Sequence, residues 1–493
     1  TICAPATVPG TGAISVIRVS GPEAFSIADK IIRCRKGNIS DSEGYTIKFG
    51  VILDDAGEVL DEVLVSIFRA PHSYTGEDSV EISCHGSIYI QNKILELLIQ
   101  TGARLAEAGE YTMRAFINGK MDLTQAEAVA DIISSKNEAE HRVAMNQLKG
   151  GFSNQLKILR RNILDLTSLM ELELDFSEED VEFADRTKLN NIVDEASAHI
   201  KKLTDSFRLG NTIKKGIPVA IVGDTNAGKS TILNALLGEE RAIVSDIAGT
   251  TRDTIEETMN IKGKTFRFID TAGIRETEDV IERIGIERAF AKISEADIVL
   301  GVLDLSKSSS EYFNSARTII SKLNLLEQKL ILVFNKIDLN ANASCVNLQD
   351  LYNELSGVIL NNIQYKGAAM LDEYKYSITG TDCHDIRNLL KLTFISAKNS
   401  IDIDKLKEDI YFNSTDLSVD ENDVLVTNLR HYEALLNAGN ALDKVKDGLL
   451  SGLSTEFVAQ DLKDVLYHLG SITGEISSSD VLNNIFGRFC IGK

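Results

Sequence analysis

The chain has 493 residues, 43% hydrophobic and 25% charged, with 52 Lys plus Arg against 73 Asp plus Glu and a formal net charge of −21. This composition suits a folded chain of about three domains and excludes wholesale disorder. The acidity argues against a broad nucleic-acid surface, which needs clustered Lys and Arg, and no uninterrupted apolar window of about 18 residues marks a membrane span.

Residues 1–119 read as a mixed α+β segment. Strands are expected at Ala13–Val19, Val63–Phe68 and Val80–Cys84, and a helix over Ile90–Thr101. From Leu123 the spacing turns helical: Leu123, Ala126, Ala130 and Ile133 share one stripe, as do Leu159, Ile163, Leu166 and Met170. Another helix is expected over Ile192–Phe207, and Asn211–Gly216 reads as a linker.

Residues 216–412 alternate strand and helix, with strands expected at Pro218–Val222, Phe266–Ile269, Ile298–Leu303, Leu330–Phe334 and Leu392–Ile395. Such alternation implies a parallel sheet with helices on both faces. Residues 341–391 break the pattern and read as a surface insertion. The last segment, 413–493, is helical again at Asn428–Val445 and Glu456–Leu469. The α/β block is therefore expected to be inserted into a helical domain formed by residues 120–215 and 413–493. Six cysteines (Cys3, Cys34, Cys84, Cys345, Cys383 and Cys490) show no C-x-x-C spacing, which suggests free thiols in a reducing, cytoplasmic setting.

Gly223-Asp224-Thr225-Asn226-Ala227-Gly228-Lys229-Ser230 matches G-x-x-x-x-G-K-[ST], between an expected strand and an expected helix. Such a loop turns backbone N–H groups toward phosphate oxygens at a helix N-terminus. Lys229 would reach the β- and γ-phosphates, and the Ser230 hydroxyl would ligate Mg²⁺. Asp270, Thr271, Ala272 and Gly273 follow one strand; the Asp would hold Mg²⁺ through water and the Gly273 N–H would touch the γ-phosphate. Asn335-Lys336-Ile337-Asp338 follows another, where the carboxylate of Asp338 pairs with the N1–H and N2–H₂ edge of guanine. Adenine lacks that donor pair, so GTP is favoured. Ser396, Ala397 and Lys398 would close over the base, and Thr250 and Thr251 stand where a switch threonine would complete the Mg²⁺ shell. Ile274 occupies the place where Ras-like proteins put a water-orienting Gln. An apolar side chain cannot do this, which leaves Arg252, Arg275 and Glu282 as candidates.

The phosphate-loop wording Asn226–Ser230, with Asp246-Ile247-Ala248-Gly249-Thr250-Thr251-Arg252-Asp253, resembles the MnmE (TrmE) family of tRNA-modification GTPases. Ser73–Asp78, Arg114–Lys120 and Leu123–Ala128 resemble that family's N-terminal part. Asn428–His431 and the terminal Phe489-Cys490-Ile491-Gly492-Lys493 resemble its helical domain. Ala108 departs from the pattern, where the family usually has Pro.

The resemblance implies an N-terminal folate-binding, dimerising α+β domain and a Ras-like P-loop GTPase domain inserted into a discontinuous helical domain. It implies a homodimer that works with the FAD-dependent partner MnmG (GidA) in a heterotetramer. Together they would add an aminomethyl-type group, such as carboxymethylaminomethyl, to carbon 5 of the wobble uridine of certain tRNAs, with a tetrahydrofolate derivative supplying one carbon. It extends the GTP site to Thr231, Ser245, Asp246, Ile247, Ala248 and Gly249. It places K⁺ at Asn226, Ser245, Ile247 and Thr250, Mg²⁺ at Ser230 and Thr251, and the water-orienting acid at Glu282. It assigns folate to Arg18, Glu81, Lys120 and Lys493, and makes Cys490 a candidate reactive thiol.

A second reading, a regulatory or ribosome-assembly GTPase acting as a binding switch, would call for a basic RNA-binding domain, and none is visible. A third, a folate-binding dimer with a degenerate GTPase domain, would predict loss of Lys229, Ser230 or Asp338, all of which are intact. With a net charge of −21, contact with tRNA is expected to be local or shared with the partner.

Overall fold

The structure, a computed structural model, describes residues 1–54, 57–175, 186–238, 257–270, 294–325, 328–339, 355, 358–359, 390–414, 423–477, 479–487, 489 and 492. These fall into two compact units, one of Thr1–Ser134, His141–Phe207 and Glu421–Lys493, the other of Ser135–Glu140 and Arg208–Asp420.

The first unit begins with strands β1 (Ile2–Pro5), β2 (Ile14–Ser20), β3 (Ile32–Cys34), β4 (Thr46–Leu53), β5 (Val59–Phe68), β6 (Ser79–His85) and β7 (Arg104–Leu105). They form one sheet in the order β3-β4-β5-β6-β2-β1-β7. Alternation decides which side is buried. Val63, Val65 and Ile67 of β5 and Val80 and Ile82 of β6 enter a core with Ile17 and Val19. Helices α1 (Ala24–Ile31) and α2 (Ile88–Gln100) supply Phe25, Ile27, Ile94 and Leu98 to the same core. Burying each large aliphatic side chain contributes about 1.5–3 kcal/mol. On the other side Ile47, Phe49 and Leu64 stay exposed.

Helices α3 (Glu110–Ile117), α4 (Leu123–Ser134), α5 (Glu138–Leu148), α6 (Gly151–Asp175) and α7 (Arg186–Asp205) follow. After the α/β segment come α12 (Leu429–Ser451), α13 (Thr455–Thr473) and α14 (Ser479–Phe486). Leu156, Ile163 and Met170 of α6 and Val193 and Ile200 of α7 share one core with Leu435 and Leu442 of α12 and Leu462 and Leu469 of α13. A bundle core is thus assembled from segments on both sides of the α/β segment. Asn428 caps α12, its Oδ1 accepting from the Arg430 N–H at 3.0 Å. Arg430 then forks onto Glu127 of α4, and His431 meets the same carboxylate at 2.6 Å. Burial works against ionisation of Glu127, but His431 and Arg430 overcome it and hold its pKa at about 2.

The second unit contains β8 (Ile217–Gly223), β9 (Glu257–Ile261), β10 (Lys264–Asp270), β11 (Ile298–Asp304), β12 (Lys329–Asn335) and β13 (Leu390–Phe394). Its sheet runs β13-β12-β11-β8-β10-β9. All pairings are parallel except the antiparallel edge strand β9. Helices α9 (Lys229–Leu237), α10 (Ser309–Lys322) and α11 (Ile403–Phe412) pack on it. Every residue of β11 is buried, as a parallel strand covered on both faces requires. Residues Ile221, Leu300 and Val333 enter one core, and Val222, Val299 and Leu332 the opposite one.

Two expectations need correction. The expected linker at Asn211–Gly216 is instead helical: α8 spans Phe207–Lys215. Its Gly and Asn suggested a break, yet Gly210 and Ile213 are buried one turn apart and Lys214 and Lys215 favour the helix C-terminus. Gly216, at φ 88°, is where the helix stops. The stretch 341–391 is also more than a surface excursion. Leu355 and Ile359, four residues apart, are buried in the core with Leu323, Leu390 and Leu392.

Candidate functional site: a phosphate loop facing a guanine-type motif

Strand β8 delivers Gly223 to the end of the sheet, and α9 starts at Lys229. Gly228 caps that helix at φ 95°, and a Cβ there would lie 2.3 Å from Asn335 Nδ2. Only glycine lets the loop approach Asn335 this closely. Lys229 reaches back over the loop, its Nζ donating to the carbonyls of Gly223 at 2.8 Å and Asp224 at 3.0 Å. Ile232, Leu233, Leu236 and Leu237 bury the inner face of α9, leaving Ser230 and Thr231 exposed at its start. Asn226 is exposed on the loop at φ 62°.

Asn335, at the end of β12, joins two halves of the site. Its Nδ2 donates to the Ala227 carbonyl at 2.9 Å, and its Oδ1 accepts from the Ala397 N–H at 3.0 Å. Ser396 donates to Asp338 Oδ1 at 2.6 Å, which orients the exposed carboxylate in the short 3₁₀ turn Ile337–Leu339. Lys398 is exposed beside them. Lys336, in a left-handed conformation at φ 67°, reaches Asp304 Oδ2 at 2.6 Å. Burial opposes ionisation of Asp304, but Lys336 and Ser306 lower its pKa on balance.

The structure therefore brings Asn226, Ala227, Gly228, Lys229, Ser230 and Thr231 to the same sheet end as Asn335, Lys336, Asp338, Ser396, Ala397 and Lys398. Asp270 ends β10, opposite Ile221 of β8. Ser245, Asp246, Ile247, Ala248, Gly249, Thr250, Thr251, Arg252, Thr271, Ala272, Gly273, Arg275 and Glu282 lie outside the described residues, as do Cys490 and Lys493. Three residues passed over by the motif reading also belong to this end of the sheet: Asp304, Lys307 and Ser315. Asp304 was legible only as the polar end of an apolar strand; Lys307 and Ser315 carried no local signal.

In the first unit, Arg18 and Glu81 are directly opposite on β2 and β6 and form an ion pair at 2.8 Å. The Arg18 guanidinium lies 5.3 Å from the Tyr74 ring centre and 5.5 Å from that of Tyr111. Lys120 Nζ donates to the Pro71 carbonyl at 2.8 Å, on the loop that carries Tyr74. Gly492 meets β1: a Cβ there would lie 2.1 Å from the Pro5 carbonyl oxygen. Pro5 pairs with Ile17, the neighbour of Arg18. Among the described cysteines, Cys3, Cys34 and Cys84 are free thiols, and burial pushes Cys3 and Cys84 up to about 11.

A parallel sheet with a glycine loop opening a helix, and an Asn-Lys-x-Asp turn bonded to that loop, define a P-loop GTPase domain. The family model for the MnmE helical domain matches residues 123–490, and that for the GTP-binding protein TrmE N-terminus matches residues 1–120. The chain belongs to the MnmE family of tRNA modification GTPases. It is 51% identical over 496 residues to the tRNA modification GTPase MnmE of Bacteroides thetaiotaomicron, covering 100% of this chain and 99% of that protein. The proteins of the same description from Parabacteroides distasonis and Flavobacterium johnsoniae are each 48% identical over 496 residues; each alignment covers 100% of this chain, and 100% and 99% of those proteins, respectively. Among the described residues no helix is long and apolar enough to cross a membrane.

Proposed function

We propose that this protein hydrolyses GTP in the course of modifying the wobble uridine of certain tRNAs. The observation that carries the nucleotide reading is Asn335, whose one side chain ties the phosphate loop at Ala227 to the base-side loop at Ala397. Lys229 and the loop N–H groups bind the phosphates, and Asp338, aimed by Ser396, reads the guanine edge. Family membership supports the tRNA part of the reading.

The chemistry of the donors fits hard cations, since Ser230 and Asn226 offer exposed oxygens at the phosphate loop. Ser230 and Thr251 would hold Mg²⁺; Asn226, Ser245, Ile247 and Thr250 would hold K⁺. When bound, these ions neutralise charge on the phosphates. Glu282 orients water, with Arg252 and Arg275 as further charged candidates.

The one-carbon donor is a tetrahydrofolate derivative, held by Arg18, Glu81, Lys120 and Lys493. An ion-paired Arg18 beside the half-buried Tyr74 offers a cation and one ring face to a flat ligand with an acidic tail, with the buried Tyr111 backing Arg18. The close seat of Gly492 on Pro5 supports a role for Gly492 beside β1. The protein acts in the cytoplasm as a homodimer, through the exposed apolar residues Ile47, Phe49 and Leu64. MnmG, which carries FAD, completes a heterotetramer and shares the contact with tRNA. Nucleoside analysis of tRNA from cells lacking this protein tests the reading. Loss of the carbon-5 substituent on wobble uridine is expected, and an unchanged nucleoside profile would overturn it.

A further inference from the structure

The phosphate loop carries an acid in its first turn. Asp224 follows Gly223 directly, and its carbonyl is one of the two that hold Lys229. A carboxylate this near a polyphosphate site is expected to repel the ligand. An aspartate bonded to an ammonium group is a carboxylate at neutral pH.

Its surroundings answer that charge. Asp224 Oδ2 accepts from Ser315 Oγ at 2.6 Å and from Lys307 Nζ at 3.2 Å. Ser315 lies on α10, and Lys307 lies on the turn between β11 and α10. The same turn starts at Asp304, which holds Lys336 of the guanine-type motif. Lys307 N–H donates to the Asp304 carbonyl at 3.2 Å, and the Ser308 to Glu311 capping box ends the turn by starting α10. One short turn thus braces both motifs, through Asp304 on the base side and Lys307 on the phosphate side.

We propose that Lys307 and Ser315 clamp Asp224, holding the first turn of the phosphate loop under Lys229 while masking a charge that opposes the nucleotide phosphates. Asp224 is a positioning residue, and the clamp rests on the nucleotide-site reading above. The clamp assigns each partner a separate task. Ser315 donates a bond that any acceptor at 224 accepts. Lys307 supplies the balancing charge, which matters only while residue 224 is an acid.

The test is a charge-rescue experiment on the full-length protein, with a fluorescent GDP analogue titrated at low and high KCl. Lys307→Met unmasks Asp224, and nucleotide affinity should fall by about three- to tenfold at low salt and by less at high salt. Adding Asp224→Asn to Lys307→Met removes the unmasked charge but keeps an acceptor for Ser315, and should recover most of the lost affinity. An unchanged Lys307→Met variant, a loss that does not shrink with salt, or a double variant no better than the single would each overturn the clamp. Failure of the wild-type protein to bind the analogue would instead overturn the nucleotide site itself.

Discussion

Asn335→Ala isolates what joins the two halves of the nucleotide site. The side chain is 3% exposed and makes two bonds, at 2.9 Å to the Ala227 carbonyl and 3.0 Å from the Ala397 N–H. Both partner residues are themselves buried, at 1% and 4% exposure. Truncation orphans one buried acceptor and one buried donor, each costing about 1–3 kcal/mol. The total is about 2–6 kcal/mol, with the lower end applying if water enters the space left behind. Part of this is paid as stability of the α/β domain, and the rest as loss of the loop arrangement that binds nucleotide. If about 2 kcal/mol falls on binding, GDP affinity drops roughly 30-fold. The assay pairs titration of a fluorescent GDP analogue with thermal melting followed by circular dichroism. A variant that binds within about threefold of the wild type would show that the two loops are positioned independently, contrary to this reasoning.

Gly228→Ala, which would place a methyl 2.3 Å from Asn335 Nδ2 at a φ of 95°, should abolish nucleotide binding while leaving helical circular dichroism intact; retained binding would contradict the close approach. Replacing K⁺ with Na⁺ should slow GTP turnover by roughly a hundredfold, part of what an arginine finger supplies elsewhere, and equal rates in both salts would sink the potassium assignment. Cys490→Ser should spare GTP hydrolysis but stop wobble-uridine modification, as read by mass spectrometry of tRNA nucleosides; full modification in that variant would refute a role for the thiol. Glu127→Gln concerns stability. The folded pKa of Glu127, about 2, lies below its unfolded value, so its contribution is present above about pH 4.5 and lost as pH falls through about 2. The wild type should therefore exceed the variant in urea midpoint near neutrality and lose that lead in acid, whereas a constant gap would argue against the ion pair as its source.

Much of the proposed nucleotide site was legible because its parts are contiguous. Eight consecutive residues, Gly223–Ser230, carry the loop, and four more, Asn335–Asp338, carry the guanine-type motif, each at the end of an apolar run. The parallel sheet was legible for a related reason: strands buried on both faces read as unbroken apolar runs, as in Ile298–Leu303. The strands β1, β3, β7 and β9, of two to five residues, were not, since runs so short hold too few residues to establish a period; the eight-residue β4 was missed as well, its alternating Ile47 and Phe49 lying on the exposed face and Gly50 interrupting the run. The linker expected at Asn211–Gly216 failed because local Asn and Gly signals were outweighed by burial of Gly210 and Ile213, which depends on tertiary neighbours. Leu355 and Ile359 failed in the same way within a polar stretch.

The sequence alone determined the chemistry at each motif and the family resemblance, because short-range order sets which groups stand next to a helix N-terminus or a strand end. Tertiary structure decided how those groups are held. Arg430 meets Glu127 across 303 residues, Asn335 meets Ala227 across 108, and Ser315 meets Asp224 across 91. No local propensity encodes a pairing at such separations. It arises only when buried apolar faces bring the elements together and leave each polar group to find a partner or carry the cost of having none.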